Sequence, residues 1–160
     1  MKKIFIDANA LILFVLGNVN SNYIGRHKRL SIYTQRDFDY LETLIRNGQS
    51  IVTSPNVWTE VDNLCHDSIT GDDKFIYVKL MRRIHNEWVF SFEETYVKTS
   101  EAVKMQQYSQ IGLSDTIALM LSHHCDLLIT GDSELTVLAI ANGIKVFDMK
   151  ADVTQRALLY

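Results

Sequence analysis

Short apolar runs alternate with longer segments of helical spacing along most of the chain. The opening stretch Lys3-Ile4-Phe5-Ile6 has the pattern of a short buried strand and stops on Asp7. An unbroken apolar run over residues 10–16 follows at once and predicts a helix, with Asp7 and Asn9 supplying side-chain oxygens near its start, where caps are favoured. Residues 18–31 are polar and contain glycine, which predicts a loop of some length. Thr34-Gln35-Arg36-Asp37 reads as a capping box for a helix through Phe38, Leu41, Leu44 and Ile45, closed by Asn47-Gly48. Residues 50–53 predict a second strand. Ser54-Pro55 then opens a helix that carries Val57, Trp58, Val61 and Leu64 at helical spacing and ends near Asp67.

The second half repeats the alternation. Residues 73–86 predict a helix with Phe75, Val78, Leu80, Met81 and Ile84 apolar. Residues 87–92 read as a strand or a turn, and residues 94–107 as a helix. Ser114 is expected to cap a helix over residues 115–124, followed by a strand at 126–130 and the turn Gly131-Asp132-Ser133. A helix over 134–141 is stopped by Asn142-Gly143, and residues 144–147 close as a last strand. Strands alternating with helices predict an α/β fold with a parallel sheet covered by helices on both faces.

Bulk properties narrow this picture. The 160 residues, 47% apolar and 22% charged, are expected to form one domain over 1–160. A chain of that size buries roughly 70% of its unfolded surface. One proline and no Gly/Ser-rich stretch leave no visible linker. The net charge of −3 argues against a strongly basic nucleic-acid clamp, although an acidic site that holds cations still accepts a polyanion. Cys65 and Cys125 are read as buried thiols in a reducing compartment. Met1-Lys2-Lys3 before an apolar run imitates a signal peptide, but Asp7 and Asn9 interrupt it and residues 10–16 are too short to span a bilayer. A cytoplasmic protein with no membrane partner is therefore expected.

The acids carry the chemistry. Asp7 and Asp132 each follow a strand, Asp115 falls in the first turn of a helix, and Glu60 sits on a helix that itself follows a strand. In a parallel sheet those positions share one edge. Like charges about 4 Å apart repel by on the order of 4 kcal/mol at an effective dielectric near 20, and a divalent cation converts that repulsion into coordination. Mg²⁺ and Mn²⁺ suit such oxygen ligands. No Cys/His zinc pattern, Gly-rich phosphate loop or Gly-x-Ser-x-Gly elbow competes.

Taken together, Phe5-Ile6-Asp7-Ala8-Asn9, the helix with Glu60, Leu113-Ser114-Asp115 and Leu128-Ile129-Thr130-Gly131-Asp132 resemble the PIN domain family of metal-dependent ribonucleases, over nearly the whole chain. The resemblance implies a three-layer α/β/α fold with a central parallel sheet of about five strands. It implies Mg²⁺ or Mn²⁺, held by Asp7, Glu60, Asp115 and Asp132, and single-stranded RNA cut by metal-activated water. It assigns Asn9 and Thr130 to polar positions that support the acids. By the same likeness the biological role is the toxin of a toxin–antitoxin pair, with an antitoxin protein as partner and a homodimer as the assembly. The chain departs from the compact toxins of the family in the length of residues 18–34. Asp62 and Glu134 are the alternative acids for the site.

Simpler duties compete with each assignment. Asp7 can serve as a helix cap, Asp115 as a helix-start charge, Asp132 as a turn former and Glu60 as a solvated helix residue. Arg26, Lys28 and Arg29 in the run Arg26-His27-Lys28-Arg29 are candidate RNA contacts, against a solvated loop. The tryptophans and tyrosines are read as core rather than base-stacking platforms. Two other functions fit the same acids: a non-catalytic RNA- or partner-binding domain of this fold, and a Mg²⁺-dependent phosphatase. A phosphoacceptor fits poorly, since Asp7 is single and Lys150 is badly placed.

Overall fold

Strand β1 (Lys3–Ile6) forms because Ile4, Phe5 and Ile6 are β-branched or aromatic and all three are buried. A computed structural model describes residues 2–47, 50–86 and 91–159. In it β1 is joined by β2 (Ser50–Thr53), β3 (Phe92–Glu94), β4 (Leu127–Thr130) and β5 (Val146–Asp148) in the order β3-β2-β1-β4-β5. Every pairing is parallel, with Ile4 opposite Ile51 on one side of β1 and opposite Leu127 on the other. The expected parallel sheet of five strands is therefore present.

Among the described residues eight helices cover it: α1 (Ala8–Val19), α2 (Gln35–Arg46), α3 (Pro55–His66), α4 (Asp72–Asn86), α5 (Thr99–Ala102), α6 (Tyr108–Ser122), α7 (Ser133–Ala141) and α8 (Met149–Ala157). Helix α1 is apolar all round, and every residue from 10 to 16 is buried, so it lies inside the protein. It packs against α2, α3 and α4, while α6 packs against α5, α7, β1 and β2. Right-handed crossovers explain the separation. The chain steps one way from β1 to β3 and the other way from β4 to β5, which sends the two groups of helices to opposite faces. At Gly17 a methyl would stand 2.3 Å from the Phe38 ring, so glycine lets α2 approach α1.

The direction of winding reverses beside β1. The crevice outside the carboxyl ends of β1 and β4 is thus the switch point of the sheet, the place where open α/β folds receive ligands.

Several elements differ from their sequence reading. Helix α1 runs to Val19, and the loop after it contains two short 3₁₀ turns, Ser21–Tyr23 and Lys28–Leu30, with Leu30 and Tyr33 buried. Residues 94–107 do not make one helix. Glu93 and Glu94 pair with Val52 and Thr53 at the sheet edge, and only the single turn α5 follows. The reason is the missing apolar stripe: Ala102 is buried, but Tyr96 and Val103 face solvent, so packing holds no long helix there. The helix carrying Asp115 begins just after Gly112, within two residues of the expected start at Ser114, but another helical segment precedes it. Helix α6 starts at Tyr108 and breaks at Gly112, whose φ of 75° suits glycine, and Asp115 falls in the first turn after the break.

The capping box holds: the Asp37 carboxylate accepts the Thr34 backbone N–H at 2.7 Å and its hydroxyl at 2.8 Å. The other Asp37 oxygen pairs with Arg156 of α8, a helix absent from the sequence reading, which Asp148 caps by accepting the Ala151 N–H at 2.9 Å. Residues 87–90 of the expected strand or turn, and Gly48, lie outside the described residues. Among the described residues no helix is long and apolar enough to cross a membrane. Cys65 is a buried free thiol and Cys125 a half-buried one.

Candidate metal centre

Asp7 occupies the cap position of α1, with extended backbone at φ −82° and ψ 164°, yet its side chain does not cap the helix. It is only 4% exposed. Its Oδ2 accepts the Thr130 hydroxyl at 2.9 Å, and Thr130 Oγ1 in turn accepts the Asp132 backbone N–H at 3.0 Å. A hydroxyl has one proton, so the amide fixes its direction and the proton goes to Asp7. The backbone continues the link, since the Asp7 N–H donates to the Ile129 carbonyl at 3.0 Å. Asp7 is thus locked to the end of β4.

Burial pushes the Asp7 carboxyl up from 3.8 to about 6, against the lowering effect of the Ala8 N–H and the Thr130 hydroxyl. The charges of Glu60 and Asp132 raise it further. Asp115 is half-buried and rises from 3.8 to about 7, first through burial, then through the charges of Asp7, Asp132, Glu60 and Glu134. The acids named from the sequence therefore lie in one another's fields at the switch point. Asp132 also caps α7, its Oδ1 accepting the Leu135 N–H at 2.8 Å, so the turn-and-cap duty and the site coexist in one residue.

Of the two alternative acids, Glu134 joins the cluster through its effect on Asp115. Asp62 does not take part in it. Its Oδ1 accepts the Tyr77 hydroxyl of α4 at 2.5 Å, and its charge bears on Cys65 and Tyr77. Asn9 stands beside Gly131, its Cβ 3.5 Å from where a methyl on that glycine would sit.

One residue at this edge gave no sequence signal. Tyr33 is 5% exposed, and its hydroxyl lies 2.6 Å from the place a Gly131 Cβ would occupy. Gly131 has no left-handed φ, so it is the close approach of Tyr33 that requires glycine. Burial and the charges of Asp148, Asp37 and Asp7 push the phenol up to about 12, keeping it a neutral donor. Tyr33 belongs to a polar loop, and no local pattern points from there to the sheet edge.

The basic run divides. Arg29 lines a groove of about 620 Å³ that contains Glu60 and Ser114. Arg26 and Lys28 line a separate hollow with Asp73 and Ser68. His27 supports the turn between them: its Nδ1 accepts the Arg29 N–H at 3.2 Å and its Nε2 lies 2.9 Å from Ser68 Oγ.

Among the described residues, no three Asp, Glu, His or Cys side chains stand close enough to share a metal ion directly. The donor set nonetheless fits Mg²⁺ or Mn²⁺. It is all oxygen, it contains a buried carboxyl and a half-buried one, both raised first by burial and then by the neighbouring acids, and Mg²⁺ keeps several waters while taking only one or two carboxylates. Asp7 and Asp115 are the residues that would hold it, with Asp132 and Glu60 near enough to act electrostatically or through water. Compared with known proteins, the chain matches no family model and no curated protein.

Proposed function

We propose that the protein is a Mg²⁺- or Mn²⁺-dependent endoribonuclease that cleaves single-stranded RNA, a hydrolase of the PIN kind. The supporting observation is Asp7, a carboxyl in a cap position that does not cap, buried at the switch point within the fields of Glu60, Asp115 and Asp132. Burying that charge is unfavourable unless something binds it. The bound ion would lower the pKa of a water and offset charge on the phosphoryl group under attack. The chain's own part is to fix Asp7 through Thr130, hold the β4–α7 turn under Tyr33, and keep Asp115 within the field of Asp132. A cytoplasmic toxin of a toxin–antitoxin pair, acting as a homodimer beside an antitoxin protein, is the role that the PIN resemblance adds.

A non-catalytic RNA-binding domain of this fold is the second reading, favoured by the spacing of the acids, which stop short of direct coordination among the described residues. A cleavage assay separates the two. The proposal expects purified protein to cut labelled single-stranded RNA in millimolar Mg²⁺ or Mn²⁺ and to lose that activity in excess EDTA. RNA binding without cleavage under either metal favours the second reading. Undiminished cleavage in EDTA overturns the metal mechanism, and faster hydrolysis of small phosphate esters than of RNA indicates a phosphatase.

A further inference from the structure

The groove beside the acids has a composition that the metal chemistry does not require. Arg29, Asn56, Glu60, Asn63, Tyr96 and Ser114 are among its lining residues. Asn56, Glu60 and Asn63 lie on α3, which follows β2, and Tyr96 lies in the segment that follows β3. The groove therefore opens on the same carboxyl edge as Asp7 and reaches across the two strands beyond β1, about 10 Å at ordinary strand spacing. Ser114 adjoins Asp115, so one end of the groove meets the acidic cluster.

Tyr96 is 72% exposed, although the sequence reading placed it in a core. A single exposed aromatic is ordinary by itself. Here it shares the groove with two side-chain amides, the hydroxyls of Thr59 and Ser114, and the guanidinium of Arg29. Arg29 is carried on a 3₁₀ turn whose next residue, Leu30, is fully buried, which anchors its backbone. An aromatic face, a cation and amides with both donors and acceptors are what a nucleotide needs: stacking for the base, charge for the phosphate and hydrogen bonds for the base edge. The stacking face serves a base only when it is unpaired, which selects single strands over duplexes.

Resting on the ribonuclease reading, we propose that this groove is a nucleotide subsite next to the cleaved bond, with an unpaired base stacked on Tyr96 and a backbone phosphate held by Arg29. Stacking removed by alanine weakens single-strand binding by between about 5-fold and about 150-fold. Tyr96→Ala is expected to raise KM for a single-stranded RNA oligonucleotide, and its Kd measured by anisotropy in EDTA, by a factor in that range. Tyr96→Phe keeps the ring and should restore both. Arg29→Ala should weaken binding and flatten the plot of log affinity against log salt by about 0.7, the contribution of one phosphate on a single strand. Neither change should alter the rise in melting temperature on adding Mg²⁺, because both residues lie outside the acid set. Wild-type cleavage with KM and Kd unmoved in Tyr96→Ala and Arg29→Ala overturns the subsite and leaves the nuclease intact. Equal competition by duplex RNA overturns it too. If wild type binds RNA through Tyr96 and Arg29 but cuts none, the subsite stands and the catalytic reading fails.

Discussion

Asp7→Asn should remove metal-dependent RNA cleavage, by at least a hundred- to a thousand-fold, while the fold persists. The magnitude is that of deleting one preorganised electrostatic group from a reaction centre. The fold should persist because asparagine keeps the volume and its side-chain oxygen still accepts the Thr130 hydroxyl. In metal-free buffer the variant should melt higher than wild type, because a buried charge that burial and its acidic neighbours disfavour has gone. Added Mg²⁺ should stabilise wild type, since a ligand that binds only the folded state does so by mass action, and should stabilise the variant far less. Asp62→Asn is the matched control: its carboxylate is occupied by Tyr77, so cleavage should survive that change. Gel assays of both variants, with melting curves with and without Mg²⁺, check the prediction. Full cleavage by Asp7→Asn contradicts the site.

Without metal, stability should fall as pH rises from about 4 to about 7. A carboxyl with a raised folded-state pKa binds its proton more tightly when folded than when unfolded. Its stabilising effect is complete below the unfolded value of 3.8 and is lost as pH climbs through the folded value. For Asp7 a folded value of about 6 corresponds to about 3 kcal/mol. Asp115 acts with the same sign and extends the window to about 7. Urea unfolding in EDTA at steps of pH should show this decline, reduced in Asp7→Asn. Saturating Mg²⁺ should reverse it near neutrality, where ionised carboxylates bind the ion best. A wild-type curve that is flat or rising over that window in EDTA contradicts the raised carboxyls of Asp7 and Asp115.

What was legible in the sequence follows from where the signal is local. Strands β1, β2 and β4 are short apolar runs closed by a polar residue, and their burial is complete or nearly so, so composition suffices to find them. The edge strand β3 is different. Phe92-Glu93-Glu94 has the composition of a helix start, and it is a strand because the backbone of β2 offers it partners, which no local pattern records. The break at Gly112 is similarly hidden, since Leu113-Ser114-Asp115 looks like a helix start whether or not a helix precedes it. Three of the acids could be found because strand ends and helix starts mark them. Glu60 depended on the resemblance, and the fields acting on Asp7 and Asp115 give it a physical basis. Tyr33 could not be found, because the fold brings it to Gly131 from a loop almost a hundred positions away.

Asp7 and Asp115 are proposed to hold one divalent ion, with Asp132 and Glu60 acting on it electrostatically or through water. Mn²⁺ soaked into crystals of the wild-type protein tests this most directly through the anomalous difference map. A peak is expected in the crevice at the carboxyl ends of β1 and β4, beside Asp7 and Asp115 and absent from crystals of Asp7→Asn. A map with Mn²⁺ bound only elsewhere, or with the peak unchanged in Asp7→Asn, would contradict it.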